Sequence, residues 1–115
     1  MNSIDNLVKS SNQQTTVLLP GGETADVGML FHEATERWVM NISYGDRLIL
    51  GVGVAFHANL LRQWKNTLPF GIACITQDQT DPFRVDDFSS GRAVLYLLTS
   101  SDTELVEREV FGSPL

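Results

Sequence analysis

The run from Arg37 to Val54, RWVMNISYGDRLILGVGV, restricts the fold of this chain more than any other stretch. Trp38, Met40, Ile42 and Tyr44 alternate with more polar neighbours before Gly45-Asp46, and Leu48 and Leu50 alternate after it. Alternation with period 2 marks half-buried strands, because successive side chains of a strand point to opposite faces. Short hairpin turns need residues that tolerate positive φ in order to follow the right-handed twist of their strands, and Gly45-Asp46 supplies them. The stretch reads as a β-hairpin, and the order Gly-Asp favours a type II′ or slightly longer turn over type I′.

The flanking segments continue the pattern. Thr15 to Leu19 is β-prone and stops at the turn signal Pro20-Gly21-Gly22. Ala25 to His32 follows with Val27, Met29 and Phe31 on one face. After the hairpin, Phe56, Leu60, Leu61 and Trp64 fit either a short amphipathic helix or a packed turn, which Pro69 and Gly71 end. Ile72 to Thr76 reads as a strand. Gln77 to Gly91 is polar and acidic and is the longest loop, anchored by Phe83, Val85 and Phe88. Arg92 to Leu98 is apolar on both faces, as for a central strand or one covered by another subunit, and Leu105 to Phe111 alternates weakly. About seven short strands and at most one short helix predict a mainly β, single-domain antiparallel β-sandwich or small β-barrel. The expected organisation is a flexible N-terminal arm over 1–12, the β-rich domain over 13–111 and a C-terminal tail over 112–115. In the arm, Ile4, Leu7 and Val8 are spaced for one helical turn or for a partner-docked segment.

Composition narrows the functional classes. A chain of 115 residues is one domain and buries roughly 65% of its unfolded surface, enough for a core without staples. The formal charge is −6 and the eight basic residues are scattered, which argues against nucleic acid as the main ligand. Cys74 is the only cysteine and lies in an apolar run, so it reads as a small buried hydrophobe. There is no leader-like start and no apolar run near the ~18 residues of a membrane helix, so the chain is expected to stay in the cytosol of the cell that makes it.

Candidate chemistry is sparse. Asp78, Asp81, Asp86 and Asp87 crowd one loop, where converging carboxylates could take Ca²⁺ or another ligand, but their spacing is not that of an EF-hand, and a solvated turn cluster fits better. Asp81-Pro82 suits a turn, and Asp86 or Asp87 suits an ion pair with Arg84 or Arg92. His32, His57, Cys74 and Glu33 lack the local spacing of a zinc set. Ser43 and Ser89 lack a nucleophile-elbow context, and Gly51-Val52-Gly53 lacks the third glycine of a phosphate loop, so those glycines suit a bulge or a close backbone approach. Trp38 reads as core, and Trp64 as a candidate interface residue. No catalytic residue, cofactor or metal site is expected.

The order of these elements resembles the small baseplate plug proteins of contractile-tailed bacteriophages, including the cyanophage-type plug. The resemblance runs from about Thr15 to Ser101: the early meander, the Arg37-Trp38 strand, Leu48 to Val52, the Asn59-Leu60-Leu61 turn, Gly71 to Ala73, the loop from Asp78 to Asp81-Pro82, and Arg92 to Leu97. It implies a structural virion component and not an enzyme. Such a part would sit in several copies in the tail baseplate, contacting hub, spike, tail tube and wedge proteins. The family has no catalytic residues to carry over. Leu60, Leu61, Trp64, Phe83 and Arg84 are the expected interface residues, chosen as apolar or flanking groups in loops.

Overall fold

In the computed structural model, residues 2–4, 7–19, 21–64 and 67–110 are described; the expected tail 112–115 lies outside them, as does Phe111. Seven strands and one α-helix follow in chain order: β1 (Asn2–Ile4), β2 (Asn12–Leu18), β3 (Thr24–His32), β4 (Arg37–Tyr44), β5 (Arg47–Gly53), β6 (Gly71–Thr76), β7 (Ala93–Leu98) and α1 (Ser100–Glu109). They form two antiparallel sheets, one ordered β1-β7-β6 and the other β2-β3-β4-β5. The expected β-sandwich with one short helix is what the chain adopts.

Alternation decides which faces meet. Val27, Met29, Trp38, Met40 and Ile42 from the four-stranded sheet join Ile72, Cys74, Leu95 and Leu97 from the three-stranded sheet in one buried cluster. Each such side chain contributes about 1.5–3 kcal/mol on burial, the term that holds the layers together. Trp38 is 1% exposed, and its ring packs on Phe31 at 5.2 Å and on Phe88 at 5.3 Å. β7 is central in its sheet, which accounts for a segment apolar on both faces.

The hairpin turn has two residues, with Tyr44 opposite Arg47, and positive φ falls on Gly45 and not on Asp46, the distribution of a type II′ turn. That register overturns one reading. Leu48 lies opposite Ser43 and Ile49 opposite Ile42, so Ile49 turns inward while Leu48 and Leu50, both 65% exposed, face out. One extra residue on β5 then shifts the ladder so that Val52 opposes Met40 and returns to the core. Gly51 sits at this bulge with φ +76° and donates its N–H to Asn41 Oδ1 at 2.9 Å.

Two further segments differ from expectation. A strand stands where Ile4, Leu7 and Val8 suggest a helical turn or an arm: β1 pairs with β7, and Ile4 and Leu7 are buried in the core. The weak alternation over Leu105 to Phe111 gives way to α1. Thr99 starts that helix with a capping box: its hydroxyl accepts from Asp102 N–H at 3.3 Å, and its own N–H donates to Asp102 Oδ2 at 3.1 Å. Two orphan donors at the helix start are thereby satisfied.

Candidate contact surfaces and the loops that present them

The long acidic loop is organised by one cation. Arg92 donates to Asp87 Oδ2 at 3.0 Å and to Asp78 at 2.9 and 3.1 Å, also reaches the Thr80 hydroxyl, and stacks on the Phe83 ring at 4.7 Å. Asp87 is buried and also accepts the backbone N–H groups of Phe83 at 2.7 Å and Arg84 at 2.9 Å. A buried carboxylate needs such partners to offset its lost hydration. Asp78 is exposed, and its bonds from Thr80 and then Arg92 hold its carboxyl well below the usual range, at about 2. The loop is tied to the sheets as well: Trp38 Nε1–H donates to Arg84 O at 3.0 Å, while Asp81 accepts from Phe56 N–H at 2.9 Å and pairs with Arg37 at 3.3 Å.

Of the pairings expected of Asp86 or Asp87 with Arg84 or Arg92, the structure contains Asp87 with Arg92. Three of the four aspartates considered for Ca²⁺ are committed to arginines and backbone amides of the same chain. Among the described residues no group of three or more His, Cys, Asp or Glu is placed to hold a metal ion.

A second element, residues 54–64, is organised by an amide. Asn59 is buried, and its Oδ1 accepts from Leu61 N–H at 3.1 Å and Ile72 N–H at 3.3 Å. Leu60 N–H donates to Ile72 O at 2.7 Å, and His57 exchanges both backbone bonds with Cys74, at 3.0 and 2.9 Å. The segment is thus a packed turn laid along the edge of β6, with a short 3-10 turn at Arg62–Trp64, and not an amphipathic α-helix. Arg62 Nε donates to Glu107 Oε1 at 2.9 Å, joining this turn to α1, where Glu107 is the buried residue.

The five expected interface residues fall in two places. Leu60 lines one shallow cleft of about 570 Å³ with His57, Asn59 and Arg62. Trp64 is half-buried against the core beside that segment. Leu61 is 0% exposed, so the reading that it faces a partner is corrected: its backbone is bonded to Asn59 and its side chain fills the core. Phe83, 37% exposed, and Arg84 line a second cleft of about 610 Å³ with Lys9, Phe31, Val85 and Asp86. Cys74 is buried, and burial pushes its thiol up to about 12, which keeps it protonated and unreactive.

Sequence reasoning missed the anchoring roles of Asn59 and Glu107. Both look like ordinary polar residues in the chain, yet each is buried and holds a loop or helix in place, and the burial of Asp87 was likewise not anticipated. The available signal was adjacency: an Asn before two leucines suits a side-chain-to-backbone turn. Also missed was the outer face of the four-stranded sheet. There Leu48 and Leu50 on the β5 edge line a surface with Leu30, Gln14, Asp26 and Asn41, and Leu18, 70% exposed, stands at the opposite edge on β2.

Among the described residues, apolar side chains are exposed on loops and sheet edges, Phe83, Leu18, Leu48 and Leu50 among them. Among the described residues no helix is long and apolar enough to cross a membrane. No curated protein matches the chain. Residues 1–101 match the family described as cyanophage baseplate Pam3 plug gp18, which covers all seven strands and stops where α1 begins. The match spans most of the 115 residues, and the chain therefore belongs to this family of phage baseplate plug proteins.

Proposed function

We propose that this chain packs in the tail baseplate of a contractile phage around the central hub, spike and tail tube, in several copies, and acts through protein-protein contacts with no chemistry performed. On this reading it is made and assembled in the host cytoplasm and then resides in the virion. The observation that carries it is the family match over residues 1–101. The loops support it, because the surface they present is fixed by buried polar anchors: Asn59 under Leu60, and Asp87 with Arg92 under Phe83 and Arg84. Rigid loops lower the ordering cost of binding, which suits a part that must dock in one geometry.

Leu60, Trp64, Phe83 and Arg84 are the contact residues on this reading. Complementation of a phage lacking the gene tests it. Phe83→Asp combined with Arg84→Glu should leave the isolated chain folded while reducing its incorporation into tails at least tenfold. Incorporation at the unaltered level would exclude that cleft as a contact. The other reading, Ca²⁺ or ligand binding through residues 78–87, is weakened by the arginine and amide partners that Asp78, Asp81 and Asp87 already have.

A further inference from the structure

The two sheets finish their edges differently. β6 is covered by residues 57–60, which bond to Cys74 and Ile72, and β1 is only three residues long. β2 and β5 are the edges of the four-stranded sheet and run seven residues each, and no described strand pairs with their outer sides. Soluble proteins usually guard such edges with charge, proline, bulges or cover, and the bulge at Gly51 guards the far end of β5. Here β2 carries no charged residue, and β5 carries only Arg47 at its first position.

The register shows which backbone groups face outward. Arg47 and Tyr44 close the two-residue hairpin, so the next opposed pair, Leu48 and Ser43, is the kind whose N–H and C=O groups point away from each other. Leu50, two residues on, has the same outward disposition. On β2, Leu19 N–H bonds to Glu23 O at 2.7 Å, so Leu18, opposite Thr24, is outward-pointing, as is Thr16. Both edges therefore offer free ladder positions beside exposed leucines of the same outer face.

Direction and charge complete the fit. Four strands alternating in direction leave β2 and β5 antiparallel, so a second copy set alongside in the same orientation brings its β2 antiparallel to β5. With Leu48 opposite Leu18 of that copy, Leu50 meets its Thr16, and Arg47 comes level with its Leu19. Its Glu23 then lies one strand further, about 10 Å from Arg47 between backbones, within reach of an Arg–Glu pair. Within the two paired strands Arg47 is the only charged residue, and the nearest acidic groups, Asp46 in the turn and Asp26 beside Thr16, lie off the seam.

We propose that the outer edge of β5 pairs with the outer edge of β2 in a second copy of this chain, a head-to-tail contact that extends the four-stranded sheet from one copy into the next. This adds a contact between copies to the baseplate reading, and because it is tested on the purified chain, its failure would leave that reading standing.

Sedimentation equilibrium from roughly 1 μM to 1 mM, the span of weak association, is the test. The unaltered chain should rise above monomer mass with concentration. Leu18→Lys blocks the β2 edge, and Leu48→Lys with Leu50→Lys blocks the β5 edge; each variant alone should stay monomeric. An equimolar mixture still holds one intact β5 and one intact β2, so it should form a one-to-one dimer and nothing larger. A monomeric mixture, a unaltered chain monomeric throughout, or a Leu18→Lys chain that dimerises alone would each overturn the proposal. Hydrogen exchange on the unaltered chain gives a readout free of any variant: the Leu48 and Leu50 amides should slow at least fivefold from low to high concentration. Unchanged rates there would also overturn it.

Discussion

Gly71→Ala should be unusually costly for so small a change. Gly71 has no positive φ, so its role is space: a Cβ there would stand 2.5 Å from Asn59 Oδ1. Strand propensity alone would favour alanine by about 0.5–1 kcal/mol. The clash instead displaces the buried oxygen that holds Leu61 N–H and Ile72 N–H, and each buried donor left unsatisfied costs about 1–3 kcal/mol. The net loss is therefore about 3 kcal/mol. For a chain of this size it appears as a fall of about 2 M in the urea midpoint, followed by the fluorescence of buried Trp38. Asn59→Ala should cost a similar amount by removing the same acceptor. The double variant should cost about 2 kcal/mol less than the sum, because the methyl group then enters vacated space. A Gly71→Ala loss below about 0.5 kcal/mol, or strict additivity, would refute this account of the turn.

Other outcomes follow from the polar anchors. Asp87→Ala should destabilise by about 3 kcal/mol and speed hydrogen exchange at the Phe83 and Arg84 amides, whereas Asp87→Asn keeps the acceptor and should cost less. Asp78 titrates at about 2 instead of the ordinary 3.8, so its contribution is present above pH 4 and lost as pH falls from about 4 to about 2. Asp78→Asn should flatten the unfolding curve over that interval, which acid titration monitored by circular dichroism would show. Glu107→Ala should cost about 1–2 kcal/mol, with increased exchange confined mainly to α1, because the ion pair with half-exposed Arg62 holds the helix to the sandwich. Cys74 should fail to react with a thiol reagent at pH 8 in the folded chain and react fully in urea.

Much of this arrangement is legible in the chain because period 2 and turn chemistry are local. Trp38, Met40 and Ile42 declare one buried face, and Gly21-Gly22 and Gly45-Asp46 mark turns, with positive φ at Gly21, Gly22 and Gly45. The outward face of Leu48 and Leu50 was also encoded: once the turn has two residues, Leu48 must share the face of Ser43, and hydrophobicity alone misleads. The α-helix at Ser100 to Glu109 follows from Thr99 and Asp102 as a capping box, which a weak alternation through Leu105 conceals. What lay beyond reach was non-local. Nothing near Glu107 in the chain points to Arg62, and nothing near Asn59 points to Gly71, since these contacts exist only once the layers are stacked. The candidate surfaces divide the same way: Phe83 and Arg84 are exposed as expected for loop residues, whereas Leu61, in the same kind of sequence, is claimed by the core.

The most direct measurement is cryo-electron microscopy of the contractile tail of a phage encoding this chain. Density for a sandwich of a three-stranded and a four-stranded sheet should appear within the baseplate, touching its neighbours through the Phe83 and Leu60 clefts. A fully interpreted tail with no density for this sandwich would contradict a structural role in the baseplate.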